Sequence, residues 1–160
     1  MSDSTDIPTL RRILKQVSTI AVVGLSANWY RPSYFASKYM QEHGYRIIPV
    51  NPAYENQEIL GERCYARLSD IPEKIDLVDC FRKSETIEPL AQEAIDIGAK
   101  VLWLQLGVEN EKAEVLAKEA GLEVVRDRCV KIEHGRLFGG LNWVGVNTKV
   151  ISAKKPQWLP

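Results

Sequence analysis

The stretch TIAVVGLSANWYRPSYFASKYMQEHGYRIIPV, residues 19–50, contains two apolar segments separated by a helical one. The first segment, Thr19 to Val23, is mostly apolar and ends at a glycine, which is typical of a strand covered on both faces by helices. Pro32 fits the first turn of a helix that reaches Gly44, and Tyr45 to Val50 forms the second strand-like run. The stretch therefore predicts a strand, a helix and a parallel strand in succession.

The same alternation continues on both sides of this stretch. Asp6 precedes a proline and apolar residues at helical spacing, which indicates a capped leading helix. Ser84 and Asn110 are candidate caps of two later helices, and further strands are predicted at Lys74 to Phe81, Val101 to Leu104 and Glu123 to Val125. The pattern predicts an α/β fold, a Rossmann-like doubly wound parallel sheet of about five strands with helices on both faces.

Length and segment pattern favour a single globular domain. At 160 residues with 45% hydrophobic residues, the chain is long enough to bury one substantial core. We expect a leading helix over 1–18, the sheet domain over 19–138 and a partly loose C-terminal extension over 139–160. After Val130 the periodic pattern weakens, and four glycines with a Lys-Lys-Pro sequence predict loops.

The charge balance and the apolar runs exclude several classes of partner. Lysine plus arginine equals aspartate plus glutamate at 21 each, so there is no excess positive charge to attract a nucleic-acid backbone. No apolar run approaches the length of a membrane span, and the polar N-terminus does not resemble a signal peptide. We therefore expect a cytoplasmic protein with no nucleic-acid or membrane partner, whose three cysteines are reduced and hold no metal.

The loop after the first predicted strand carries residues suited to bind a ligand. In a doubly wound sheet, ligands bind beyond the carboxyl ends of the strands, where the strand order reverses. Gly24 ends the first strand, and Ser26, Arg31 and Ser33 follow it, so backbone N–H groups, a helix dipole and a guanidinium are brought together. This combination suits a pyrophosphate. The alternative is a tight turn in which Arg31 and Ser33 are merely solvated.

Two features disfavour a dinucleotide of the NAD type. The first loop contains Gly24 but lacks the G-x-G-x-x-G pattern through which a backbone approaches such a cofactor. The second strand ends in Val50, Asn51 and Pro52, without the acidic residue that binds a ribose diol. NAD is therefore disfavoured as the source of the pyrophosphate predicted at this loop.

Three segments resemble the family of small stand-alone CoA-binding proteins, which are related to the CoA-binding domains of succinyl-CoA synthetase alpha subunits and of ADP-forming acyl-CoA synthetases. The segments are residues 22–52, 59–82 and 94–134, which begin VVGLSANWYRP, ILGERCYARL and AIDIGAKVLWLQLGV. The resemblance covers most of the chain. It implies a Rossmann-like fold and coenzyme A, or an acyl-CoA, as the ligand.

The resemblance also implies which residues contact this ligand. Residues of the first loop would hold the phosphates, those ending the second strand would flank the adenosine, the pair after the third strand would pack near the adenine, and the pair after the fourth would line the pantetheine path. In chain order they are Gly24, Leu25, Ser26, Arg31, Ser33, Val50, Asn51, Pro52, Phe81, Arg82, Leu106 and Gly107. For Phe81 the alternative is core packing. Ala53 stands where the family commonly has lysine, which leaves Arg31 or Arg82 to supply positive charge.

No residue is predicted to be catalytic. His43 and His134 have no nearby serine–base or metal-ligand spacing and are interpreted as structural or solvated side chains, with His134 in a loop. The sequence therefore predicts a non-catalytic coenzyme A-binding protein that is not an enzyme. The alternatives are a detached subunit of an acyl-CoA ligase or an NAD(P)-binding oxidoreductase, and a ligand-independent interaction protein.

Cys129 carries a separate hypothesis. It follows the fifth predicted strand and is expected near the ligand-binding edge, where Arg126 or Arg128 would favour its thiolate and a mixed disulfide with coenzyme A. The alternative is that Cys129 is a small buried hydrophobic residue. It is therefore not included among the predicted contacts.

Overall fold

A computed structural model describes residues 6–138 of the chain. Within this range the helices are α1 (Ile7–Gln16), α2 (Pro32–Glu42), α3 (Ile87–Asp96), α4 (Glu111–Glu119) and α5 (Val130–Phe138). The strands are β1 (Thr19–Val23), β2 (Arg46–Val50), β3 (Glu58–Ile59), β4 (Glu62–Arg63), β5 (Leu77–Cys80), β6 (Val101–Leu104) and β7 (Glu123–Val125). The extension predicted over 139–160 lies outside the described residues, and the domain boundaries stay predictions.

Five strands form one parallel sheet in the order β2-β1-β5-β6-β7. The register aligns their carboxyl ends, because Val23 pairs with Val50 on one side and with Cys80 on the other. The strand order reverses at β1, so the crevice for a ligand is expected beside the loop that follows β1. The predicted Rossmann-like, doubly wound α/β class is confirmed. β3 and β4 form a separate antiparallel hairpin, too short for the apolar pattern to predict.

Alternate residues of the central strands belong to two different cores. Along β1, Ile20 and Val22 belong to the core with the buried residues of α1, α2 and α5, whereas Ala21 and Val23 belong to the core of α3 and α4. This two-sided burial explains the continuous apolar runs in the sequence. Polar ligand contacts are therefore expected at the strand ends and in the loops that follow them.

The prediction of loops after Val130 is wrong for residues 130–138, because they form α5; the rest of that predicted segment lies outside the described residues. His134 lies on that helix rather than in a loop, and its ring packs against α2. The buried residues of α5 include Glu133 and His134 beside Val130 and Leu137. Two polar residues on the buried side weaken the apolar periodicity, and the sequence pattern consequently does not reveal the helix.

Two smaller expectations around the third predicted strand are also wrong. The strand spans Leu77–Cys80 rather than Lys74 to Phe81, since pairing with β1 begins at Leu77. Ser84 lies in a 3₁₀ turn before α3 and does not cap that helix. Its Oγ instead accepts a bond from the Glu109 N–H at 3.0 Å and donates to the Gly107 carbonyl at 3.3 Å. Ser84 thereby ties the loop after β5 to the loop after β6.

Candidate functional site

A cleft of about 950 Å³ lies at the carboxyl ends of the strands, beside the reversal of strand order. Its walls come from the loops after β1, β2, β5 and β6 and from the segment before α5. The lining residues are Gly24, Ser26, Asn28, Arg31, Pro32, Ser33, Asn51, Ala53, Tyr54, Phe81, Arg82, Lys83, Thr86, Gln105, Leu106, Val108 and Cys129. The structure thus brings together most of the residues predicted from the sequence.

Gly24 sits where two strand-end loops touch. Its φ is +92°, a conformation that side chains rarely allow, and its N–H donates to the Val50 carbonyl at 2.8 Å. A Cβ built on Gly24 would lie 2.3 Å from the carbonyl oxygen of Phe81. Only glycine therefore lets the loop after β1 pass this close to the end of β5.

Two serines order the loop that leads into α2. The buried Ser33 Oγ accepts a bond from the Ser26 N–H at 3.0 Å, and the Ser26 Oγ accepts one from the Asn28 N–H at 3.0 Å. Arg31 is the N-cap residue of α2, and its side chain makes no capping bond. Because Arg31 and Ser33 line the cleft, the N-terminus of α2 and the positive end of its dipole form part of the wall.

Asn51 joins the loops after β1 and β2. Its Nδ2 donates to the Leu25 carbonyl at 3.1 Å, and its Oδ1 accepts from the Ala53 N–H at 3.0 Å. Both ends of the amide are thus used within the chain. Asn51 lines the cleft, but its hydrogen bonds indicate that it positions two ligand-facing loops.

Three cations line the cleft without a carboxylate beside them. Arg31, Arg82 and Lys83 face it, and no Asp or Glu occurs among its lining residues within 6–138. None of the three forms an ion pair in this part of the chain. The Arg31 guanidinium lies 5.8 Å from the ring centroid of Tyr30. The cleft is therefore electropositive and suited to an anionic ligand.

Apolar side chains supply the other half of the cleft's chemistry. Phe81 packs on the core beside α2 and also lines the cleft, so core packing and ligand contact are both compatible with its position. Leu106 is 60% exposed at the rim, close to Val108 in the same loop. Tyr54 lines the wall contributed by the segment after β2. The cleft can accordingly take a ligand with apolar and aromatic parts as well as charges.

A buried polar pair lies under this surface. Asp79 on β5 is 1% exposed, and Gln105, directly after β6, is 4% exposed and lines the cleft. The Gln105 Nε2 donates a hydrogen bond to the Asp79 Oδ1. Burial raises the pKa of Asp79 to about 7, although the bond from Gln105 opposes that rise. The Asp79 carboxyl group thus lies beneath the cleft and is separated from it by the side chain of Gln105.

Cys129 lines the cleft, as its position after β7 predicts, but its expected activation is wrong. Arg126 lies 3.7 Å from Glu109 and from Glu114, and Arg128 pairs with Glu133 at 3.5 Å. Burial raises the pKa of the Cys129 thiol. The neighbouring arginines thus pair with carboxylates, and Cys129 favours the thiol over the thiolate.

Four predicted contact residues do not line the cleft. Leu25 and Val50 are buried in the two cores, and Pro52 begins a short 3₁₀ turn after Asn51. The Gly107 N–H donates to the Asp127 Oδ1 at 2.6 Å. These residues shape the loops around the cleft, and their direct contact with a ligand stays a prediction.

Several lining residues are missing from the sequence-based set. They are Asn28, Pro32, Ala53, Tyr54, Lys83, Thr86, Gln105, Val108 and Cys129. Their position in the sequence is the signal that could have identified them, because most lie within a few residues of a strand's carboxyl end. Residue type alone does not distinguish an amide such as Gln105 from an ordinary loop residue.

Other classes of site find no support in the part of the chain that the structure describes. Within residues 6–138, no group of three or more His, Cys, Asp or Glu side chains is arranged to hold a metal ion. No helix in this range combines the length and apolar character needed to cross a membrane.

Known proteins similar to this chain share its fold. A hypothetical protein from Pyrococcus horikoshii is 43% identical in sequence and superimposes with a TM-score of 0.82, over 86% of this chain and 95% of that one. A structure from Thermus thermophilus has 38% identity and a TM-score of 0.81, over 84% of this chain and all of that one. The Rossmann-like architecture is therefore shared with stand-alone chains of similar length.

Sequence comparison identifies the family. The uncharacterized Bacillus subtilis protein YneT is 42% identical over 125 residues, which are 78% of this chain and 91% of YneT. An ADP-forming acetate–CoA ligase of Archaeoglobus fulgidus is 28% identical over 85% of this chain, but the match spans only 20% of that ligase. The family model described as the CoA binding domain matches residues 18–135. The chain therefore belongs to the CoA-binding domain family.

Proposed function

We propose that the chain is a non-catalytic coenzyme A-binding protein that holds the pyrophosphate of CoA, or of an acyl-CoA, at the loop between β1 and α2. The observation that carries this proposal is the electropositive cleft at the strand reversal in a chain of the CoA-binding domain family. The N-terminus of α2 and the Arg31 guanidinium are the groups that suit a pyrophosphate there.

The charges of the cleft match those of the ligand. Coenzyme A carries a pyrophosphate and a 3'-phosphate, and Arg31, Arg82 and Lys83 line one continuous cleft without a carboxylate partner among residues 6–138. Ala53 supplies no cation after Asn-Pro, so Arg82 and Lys83 are assigned the charge beyond the pyrophosphate. Exposed phosphate contacts of this kind contribute about 1 kcal/mol each at physiological salt.

The apolar parts of the cleft accommodate the rest of the molecule. The exposed part of Phe81 is assigned to the adenine, and Leu106 with Val108 to the pantetheine arm. Asn51 holds the loops after β1 and β2 together at this position. The volume of about 950 Å³ is within the range of pockets that bury small organic ligands.

We propose binding without turnover, because the described residues offer no arrangement for catalysis. Neither His43 nor His134 lines the cleft; both belong to a cluster of rings between α2 and α5. The Cys129 thiol has a raised pKa. The ligase activity named for the Archaeoglobus relative belongs to a protein of which this chain matches one fifth.

Thermal unfolding in the presence of candidate ligands tests this function. CoA is expected to raise the melting temperature in a saturable way, because a ligand that binds the native state stabilises it by RT ln(1 + [L]/Kd). Acetyl-CoA, NAD, NADP and ADP are the comparison ligands. A larger shift with NAD or NADP would indicate an oxidoreductase, and no shift with any ligand would indicate a ligand-independent interaction protein.

A further inference from the structure

The side chain of Gln105 is almost completely buried, yet only one end of its amide has a partner. Its Nε2 donates to the Asp79 Oδ1, and within residues 6–138 its Oε1 has no hydrogen-bond partner. In that range, fully buried side-chain polar atoms without a partner occur on Ser37, Arg128 and Glu133. The Gln105 Oε1 is therefore accessible, and the accessible space at this side chain is the cleft.

Asp79 determines which end of the amide faces the cleft. Above its pKa of about 7, the Asp79 carboxylate is ionised and only accepts hydrogen bonds, so it must be met by the NH₂ end of the Gln105 amide. The planar amide then directs its oxygen to the opposite side. Because Asp79 is 1% exposed and sits on a central strand, water cannot readily replace this bond.

We propose that Gln105 is a specificity-determining residue whose Oε1 accepts a hydrogen bond from an N–H group of the ligand, with Asp79 as the positioning residue that fixes the amide. This inference rests on the proposed function. Coenzyme A offers such N–H donors at two places, the adenine amino group and the two amides of pantetheine. An acceptor that a bound ligand covers without supplying a donor is costly, so the site discriminates against ligands that lack an N–H at this point.

Calorimetric titration of three ligands tests the proposal. CoA, 3',5'-ADP and pantetheine are titrated into the wild-type protein and Gln105→Met, which keeps the length of the side chain and removes the acceptor. The pH is held near 8, above the pKa of about 7 that burial gives Asp79, so that the carboxylate is ionised. We expect roughly tenfold weaker CoA binding by Gln105→Met.

The two ligand fragments locate the donor. A loss with pantetheine but not with 3',5'-ADP assigns the N–H to a pantetheine amide, whereas the reverse assigns it to the adenine; either result supports the proposal. Gln92→Met is the matched control, because Gln92 also donates to a carboxylate, that of Asp96 at 2.9 Å, but lies exposed and outside the cleft. It should bind all three ligands as the wild-type protein does.

The role of Asp79 requires a double-mutant comparison. Asp79→Asn lets the neighbouring amide adopt either orientation, so it should weaken binding of the same fragment that Gln105→Met weakens. The double variant should bind no more weakly than Gln105→Met alone, because Asp79 acts through Gln105. A purely structural role of Asp79 would instead add a second, independent loss.

Several outcomes would overturn the inference. If the wild-type protein binds CoA and Gln105→Met binds all three ligands equally well, the inference fails while the proposed function stands. If the wild-type protein binds none of them, both fail. Should Gln105→Met not fold, the assigned side-chain NH₂ resonances of Gln105 in the wild-type protein provide the readout, and they must shift on addition of CoA.

Discussion

Two regions of the molecule bury titratable groups, and they do so in different ways. Between α2 and α5, the His134 Nδ1 lies 3.0 Å from the Tyr39 hydroxyl, and rings of His43, Tyr45 and Phe138 surround it. We call these five residues the aromatic cluster. At the cleft floor, Asp79 is bonded to Gln105, whose other amide end is open. Burial of a polar group therefore does not by itself mark a binding site, and an unused hydrogen-bonding atom at a cleft is the stronger indication of one.

Burial shifts the pKa values of Asp79 and His134 in opposite directions for the same reason. Burial raises the pKa of Asp79 to about 7 and lowers that of His134 to about 4. In each case the neutral form is favoured in a medium that solvates charge poorly. Burial also raises the pKa of Tyr39 to about 12. His134 and Tyr39 are accordingly uncharged near neutral pH, whereas Asp79 titrates close to neutral pH.

The largest expected effect follows from placing a methyl group where the loop after β1 meets the end of β5. Gly24→Ala forces a Cβ to within 2.3 Å of the Phe81 carbonyl oxygen at a φ of +92°. We expect a loss of about 4 kcal/mol in the free energy of unfolding, together with loss of CoA binding. Denaturant unfolding and thermal shift measure the two effects.

A glycine far from such a contact provides the control for this prediction. Gly98 has a φ of +76°, and a Cβ built on it meets no atom within 4 Å. Gly98→Ala should therefore cost only about 1 kcal/mol, from the backbone conformation, and leave CoA binding intact. Equal destabilisation by the two substitutions would contradict the close approach at Gly24.

The pH dependence of stability separates the cleft floor from the aromatic cluster. Between about pH 4 and 7, folded Asp79 keeps a proton that the unfolded carboxyl has lost, so its contribution to stability falls as the pH rises. Between about pH 4 and 6.5, unfolded His134 binds a proton that the folded ring does not, so its contribution rises. The two contributions oppose each other in the wild-type protein.

Substitutions should reveal each contribution alone. Asp79→Asn removes the contribution that falls as the pH rises. On going from acid to neutral pH, the unfolding free energy of this variant should therefore change more favourably than that of the wild-type protein, by on the order of 2 kcal/mol. His134→Gln removes the rising contribution and should make stability fall more steeply above about pH 4. Urea denaturation across this pH range is the measurement. Unchanged pH profiles in both variants would contradict the assigned pKa shifts.

Phe81 should affect one end of the ligand more than the other. Phe81→Ala removes an aromatic face assigned to the adenine, and base–aromatic stacking is worth about 1–3 kcal/mol. We expect calorimetry to show similar losses for CoA and 3',5'-ADP and little change for pantetheine. Phe35→Ala is the control, because Phe35 is 48% exposed on α2 and does not line the cleft. An equal loss with pantetheine would place Phe81 elsewhere along the ligand.

The smallest expected effect concerns a single exposed cation. Arg31→Ala should weaken CoA binding by about 1 kcal/mol, roughly fivefold, because we propose that the guanidinium contacts phosphate in a solvent-screened position. Arg67→Ala is matched in charge, and Arg67 lies outside the cleft with Glu93 3.5 Å away. Only the loss at Arg31 should shrink as salt is raised. Equal affinities of both variants would argue against a phosphate at the α2 N-terminus.

The architecture could be predicted from the sequence because the central strands form distinct apolar runs. Thr19–Val23 and Val101–Leu104 are apolar along their length since both faces of the sheet are covered. Gly24 and Ser33 could likewise be predicted as site residues, because a glycine at a strand end and a hydroxyl at a helix start have local geometric causes. These features depend on neighbours in the chain.

The parts that could not be predicted depend on distant partners. Gln105 is a candidate contact for the ligand only because Asp79, 26 residues earlier, occupies one end of its amide. The α5 helix buries Glu133 and His134, and His134 packs against Tyr39 on another helix. Arg126 and Arg128 lie within three residues of Cys129 in sequence but are paired with carboxylates in space. Such pairings follow from the fold and leave no periodic signal in the sequence.

Equilibrium dialysis of CoA against the wild-type protein tests the central claim most directly, because it counts bound ligand without relying on heat or stability. We expect saturable binding of one CoA per chain, displaced by an excess of 3',5'-ADP and weakened by Arg31→Ala but not by Arg67→Ala. No accumulation of CoA on the protein side at millimolar concentration would contradict the proposal that this cleft is a coenzyme A site.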